Sequence, residues 1–166
     1  MIRACGVLIV LLTNALSKGR PSMTTVPRPQ LSHVSLTVTD LEASMEWYAR
    51  VFDIGHLMDA PHEGGIGKLL ADDAMSLVIV LHRHDGNGGE LFSERDTGLD
   101  HVGMNVPTRG DLVAWQDHLE ACGVVRADVA AKPLTQSPIA DESYGSVLVF
   151  RDPDNIQLEL VSPAQG

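Results

Sequence analysis

The chain writes one pattern twice. His33-Val34-Ser35-Leu36-Thr37-Val38 returns as His101-Val102-Gly103-Met104-Asn105-Val106, positions 33 and 101 being 68 residues apart. The same offset carries Trp47 onto Trp115 and Gly55 onto Gly123. Agreement in a histidine, an apolar alternation, a helix aromatic and a helix-ending glycine implies two copies of one supersecondary unit. In each copy the histidine stands near the start of a strand. Symmetry about the join would bring both imidazoles to one shared site.

Alternation decides which side chains share a face. Val34, Leu36 and Val38 take one side of the first strand, and His33, Ser35 and Thr37 the other. Thr39-Asp40-Leu41-Glu42 reads as a capping box. It starts a helix with Leu41, Met45, Tyr48 and Phe52 on one stripe, ended by Gly55. Extended segments follow near 56–60, 66–71 and 75–82. Asp85–Thr97, with its Asp-Gly-Asn-Gly-Gly run, is the connection between copies. The second copy opens with the strand Asp100–Val106 and a helix over Thr108–Cys122, with Leu112, Trp115, Leu119 and Cys122 on one stripe. Strands follow near 124–129, 144–151 and 155–161. Arg151-Asp152-Pro153-Asp154-Asn155 is a tight turn in which Asn155 suits a left-handed conformation. Each unit is therefore strand, helix, then three strands, an α+β arrangement. The first spans 31–84, the linker 85–98 and the second unit 99–162.

Charge narrows the partners. The formal net charge is -10, and no Asp or Glu occurs before Asp40. Phosphate surfaces call for Lys/Arg clusters, so this balance argues against nucleic acid and anionic membranes as partners. Residues 1–22 differ from the rest: Arg3, an apolar run Ala4–Leu12, then Ala15-Leu16-Ser17 resembles a short signal peptide. The run falls short of the roughly 20 residues that span a bilayer. Its cleavage site is poor and no secreted-type cysteine framework follows, so a start at Met23 and a cytoplasmic protein are expected, with export as the alternative if residues 1–17 are a signal. Residues 1–30 are left out of the fold. Cys5 and Cys122 make no disulfide framework.

Helices must cover the apolar faces. The opposite face then collects His33, Ser35 and Thr37 from one copy and His101, Gly103 and Asn105 from the other. In the final strand Ile156, Leu158 and Leu160 share a side, which leaves Asn155, Gln157 and Glu159 opposite. Two imidazoles and one carboxylate on a polar surface are a donor set for one divalent Fe, Mn, Zn, Ni or Co ion with positions open to water or substrate.

On Leu31–Phe52, Leu99–Val106 and Tyr144–Val161, with its closing Asp-Pro-Asp-Asn-x-x-x-Glu, the chain resembles the vicinal oxygen chelate superfamily of glyoxalases, bleomycin- and fosfomycin-resistance proteins and extradiol dioxygenases. The resemblance implies paired βαβββ modules forming a curved mixed sheet around a metal or ligand cavity, and homodimers. It implies His33, His101 and Glu159 as metal ligands, with two adjacent substrate oxygens chelating the ion. The fourth glyoxalase carboxylate falls on Val80, which neither binds metal nor moves a proton. His82, two residues on and about 7 Å along the same face, is the candidate for a displaced ligand or an acid/base group. His56 and His62 lie outside the site by this register. The tyrosine expected of a ring-cleaving dioxygenase falls on Val149; Tyr144, nearby and out of register, is the other catalytic candidate. Arg83 and Arg151 read as solvated charges. The expectation is a metal-dependent enzyme acting on a small substrate with vicinal oxygens. The alternative is a non-catalytic small-molecule or antibiotic binder of the bleomycin-resistance kind.

Overall fold

The computed structural model describes residues 26–164 apart from residue 133; the signal-like stretch and Cys5 lie outside the described residues. Val34–Thr37 forms β1 and Leu41–Phe52 forms α1. Gly55–His62 (β2), Gly65–Ala71 (β3) and Val78–His84 (β4) complete the first sheet, in the order β1-β4-β3-β2. It is mixed: β1 runs parallel to β4, and β2, β3 and β4 pair antiparallel.

The second half repeats the opening and the ending but not the middle. Val102–Asn105 is β5 and Arg109–Ala121 is α2. Short pieces follow at Val125–Arg126 (β6), Thr135–Gln136 (β7) and Ala140–Glu142 (β8), then the long strands Gly145–Arg151 (β9) and Gln157–Pro163 (β10). The order is β5-β10-β9-β7-β6, with β8 also on β9. A single strand over 124–129 is expected from the pattern; the structure divides that stretch's role among β6, β7 and β8. Pro138, which has no N–H to give a ladder, stands between β7 and β8.

Local signals explain most of the ends. Thr108 and Asp111 form a reciprocal capping box at α2. At α1 the cap sits one residue later than the sequence suggests: Asp40 accepts from Ala43 N, and Thr39 N donates instead to Asp154 Oδ1 at 3.0 Å. Asp53, not Gly55, takes the left-handed position after α1, with φ of 52°. Gly123 (φ 87°) and Asn155 (φ 68°) are left-handed as expected.

Both sheets turn their apolar sides into one core. Leu36, Val38, Leu70, Ile79 and Leu81 from the first sheet join Leu148, Phe150, Leu158 and Leu160 from the second. The two helices lie within the same core. Phe52 of α1 packs on Trp115 of α2 with ring centres 5.8 Å apart, and Trp47 lies 6.4 Å from Phe150. His118 Nε2 reaches Val51 O at 2.8 Å, tying α2 to the end of α1. The buried stripe of α1 is Leu41, Ser44, Trp47, Tyr48 and Val51, rotated slightly from the expected one, with Met45 and Phe52 at its margin. The polar side chains of both sheets lie off this shared interior.

Candidate metal centre

Glu159 lies in β10 between Gly103 of β5 and Val149 of β9. Ile156, Leu158 and Leu160 alternate into the core at 3% exposure or less, which forces Glu159 onto the polar face. Gly103 leaves the space beside it open: a Cβ there would come no nearer than 3.9 Å to Glu159 Oε1. His101 immediately precedes β5. Its Nδ1 lies 2.6 Å from Asp100 Oδ1. This contact places the ring proton on Nδ1 and leaves the Nε2 lone pair free, the orientation a metal-bound imidazole takes from a carboxylate behind it. Burial pushes the Glu159 carboxyl above its usual pKa; His101 pulls it down and Asp100 raises it further. The imidazole and the carboxylate therefore share one electrostatic environment.

On the same face, Arg151 pairs across from Gln157 in the strand ladder. The sequence suggests a solvated charge, but the side chain is buried. It donates to both Glu94 carboxylate oxygens at 3.2 Å, to Asn155 O at 3.0 Å and to Gln157 Oε1 at 2.8 Å. Glu94 belongs to the linker, which docks on the closing turn through Phe92 N to Asp154 O and Asn155 Nδ2 to Phe92 O. Glu94 is held down to about 2 by its own backbone N–H and then by the Arg151 guanidinium.

The first sheet carries its own polar face. His33 stands just before β1, exposed, with Nδ1 3.3 Å from Ser32 Oγ. Val80 lies beside Ser35, so an apolar residue occupies the row where a fourth carboxylate would stand. Thr37, His82 and Gly67 form one row across β1, β4 and β3, and His84, Gly65 and His62 form the next across β4, β3 and β2. Three histidines gather there: ring centres are 5.1 Å apart for His62–His82, 5.0 Å for His62–His84 and 6.0 Å for His82–His84. Burial lowers the His82 pKa, and His62, His84 and His33 lower it further. Sequence reasoning set His62 aside and singled out His82 alone of the three. The signal was present in the His-x-His of β4 and the Gly-x-Gly of β3, but it needed the register of β2 to be read.

Of the three expected ligands, the chain brings His101 and Glu159 together. It does not bring His33 into a metal-holding group with them. Among the described residues no three His, Cys, Asp or Glu side chains stand together as a metal-holding group. His33 lies instead at the rim of a cleft of about 400 Å³ between β1 and β5, lined also by Val34, Phe52, Gly103, Met104 and Trp115. Tyr144 sits in the turn before β9. The adjacent Gly145 pairs with Pro163, four rows from the Glu159–Val149 row and roughly 13 Å along the strand.

Two mixed sheets, each opened by a strand and a covering helix and each carrying a polar outer face, define an α+β protein of the paired-module kind. The sequence profile of the Glyoxalase/Bleomycin resistance protein/Dioxygenase superfamily matches residues 30–160, and the chain belongs to that family. A glyoxylase/bleomycin resistance protein/dioxygenase domain from Frankia sp. EAN1pec is 33% identical, with a TM-score of 0.71 over 84% of this chain and 96% of that one. The fosfomycin resistance protein FosX from Listeria monocytogenes shares the fold at 18% identity, with a TM-score of 0.60 over 83% and 94% of the two chains. A single-residue mutant of that FosX, complexed with Mn(II) and 1S,2S-dihydroxypropylphosphonic acid, aligns at 19% identity and a TM-score of 0.58, over 83% and 93%. A comparison with curated proteins finds no match. Among the described residues no helix is long and apolar enough to cross a membrane.

Proposed function

We propose that the chain is a metal-dependent enzyme acting on a small substrate with two adjacent oxygens, and that His33, His101 and Glu159 hold one divalent Fe, Mn, Zn, Ni or Co ion. The observation that carries this reading is the His101–Glu159 pair: an imidazole whose tautomer Asp100 fixes with Nε2 free, beside a half-buried carboxylate, with open space left by Gly103. Nitrogen and oxygen donors of this type fit such an ion. The Listeria FosX mutant of the same fold, complexed with Mn(II), supports a divalent ion. When bound, the ion supplies Lewis-acid charge to the substrate oxygens. The chain's own contributions are distinct. Asp100 orients His101, Gly103 makes room, and the Glu94–Arg151 pair braces the strand ends from which Glu159 projects.

His33 completes the set from a second copy of the chain. Each copy presents a half-site on each of two outward faces, so a homodimer that sets the first sheet of one chain against the second sheet of the other forms two equivalent sites. An isologous pairing of this sort closes on itself. The paired half-sites are the product of an internal duplication.

Metal analysis after reconstitution with each of the five ions tests the reading. At least one ion should be taken up in a manner that Glu159→Ala abolishes and Asp100→Asn weakens roughly ten- to a hundredfold, the usual cost of losing an orienting partner. Absence of any Glu159-dependent uptake across all five would remove the proposal.

A further inference from the structure

The first sheet carries a second group of metal-type donors that the His33/His101/Glu159 reading does not use. His62, His82 and His84 face a basin of about 460 Å³, lined also by Ser35, Thr37 and Pro61. We propose that these three imidazoles form a separate binding site for a soft divalent cation of the zinc, nickel or copper class. Its donors all belong to the first sheet and include neither His101 nor Glu159, although the proposed dimer sets this face against the partner's second sheet.

Spacing is the first argument. Metal–imidazole bonds are about 2.0–2.1 Å, which puts the centres of three rings on one tetrahedral ion about 5 Å apart. The observed separations are 5.1, 5.0 and 6.0 Å. The donors do not yet converge on one point. Rotation about χ1 and χ2 on a fixed sheet is the change that ion capture requires.

Unmet bonding is the second. His62 Nδ1 is engaged with the Glu63 carbonyl at 3.1 Å, which leaves Nε2 as the lone-pair nitrogen. That Nε2 and His82 Nδ1 are both covered and have no hydrogen-bond partner. Buried polar atoms of this kind call for a reason. An ion provides one, because it pairs with the lone pair that no donor meets.

The third argument is construction. The rings lie over β3 at two glycines. A Cβ at Gly67 would stand 2.7 Å from His82 Cε1, and one at Gly65 would meet first the Arg83 backbone carbonyl oxygen and then His62 Cε1 at 2.7 Å. A larger residue at Gly67 would push the His82 imidazole out of the group, and one at Gly65 would disturb the ladder to Arg83 as well as the His62 ring. A chain of net charge -10 further favours a cation over an anion here.

Zinc chloride titrated into the full-length Glu159→Gln protein at pH 7.5, in competition with a chromophoric chelator, reads this site with the other disabled. Saturable uptake of one zinc per chain is expected. His62→Gln and His84→Gln, added singly, should each weaken it at least tenfold. Nitrogen chemical shifts of the His62, His82 and His84 rings should move together on zinc addition, while those of His56 and His118 stay in place. The same titration in a His101→Gln background guards against a folding defect peculiar to Glu159→Gln. No saturable uptake in either background would overturn the proposal, as would uptake indifferent to both histidine substitutions.

Discussion

Asp152 shows how much a single residue of the closing turn carries. Its Oδ2 accepts from Tyr48 OH at 2.8 Å and its Oδ1 from Ile156 N at 2.7 Å, while Asp154 accepts from Thr39 N and Ser44 Oγ. The turn is thus a polar staple between the β9–β10 hairpin and α1, with Asp152 and Asp154 almost fully covered. Burial outweighs these hydrogen bonds and pushes the Asp152 carboxyl up to about 7. Unfolded, it titrates near 3.9. Between those values the native state binds more protons than the unfolded state, so this group's contribution to stability falls as pH rises from about 4 to about 7. Asp152→Asn keeps an acceptor for Ile156 N and removes the titration. The variant's melting temperature, relative to the unsubstituted protein, should therefore rise across pH 5 to 8, by an amount worth roughly 2–4 kcal/mol. A difference that stays flat across that range would place the Asp152 pKa near its ordinary value.

At the scale of elements, legibility followed from how local the deciding interaction is. The strand faces were readable because a period of two leaves no freedom once the helix side is known; Leu36, Leu158 and Leu160 are buried and Ser35 and Glu159 are not. The start of α2 at Thr108 was readable because the residues that fix it, Thr108 and Asp111, are three apart and satisfy each other. The α1 cap was misplaced by one residue because Thr39 N is claimed by Asp154, 115 positions away. Arg151 was misread for the same reason, since the Glu94 that buries it comes from the linker. The histidine group was missed because His62 reaches it only through the β2–β3 register. The expected 124–129 strand is cut down to β6, Val125–Arg126, and β7 and β8 add short pieces further on. Thr108→Ala should lower the stability read from denaturant unfolding by about 1 kcal/mol with an unchanged m value, as loss of an N-cap does. An unchanged midpoint would show that α2 is held by packing alone.

For the whole molecule the decisive fact is that one core serves both halves. With Leu81 and Leu160 in the same interior, the polar side chains lie off that shared core, and among the described residues of one chain His33 does not join His101 and Glu159 in a metal-holding group. The sequence put His33, His101 and Glu159 on the polar sides of their strands but left open how those sides meet. If two chains meet face to face, each ion is shared between them. The direct test combines His33→Ala and Glu159→Ala chains, unfolded together and refolded. Neither variant alone should take up the ion that depends on Glu159. The mixture should recover about one site in four, because half of the dimers are mixed and each mixed dimer has one intact site. A mixture that stays empty, or a His33→Ala protein that binds as well as the unsubstituted chain, would contradict the account.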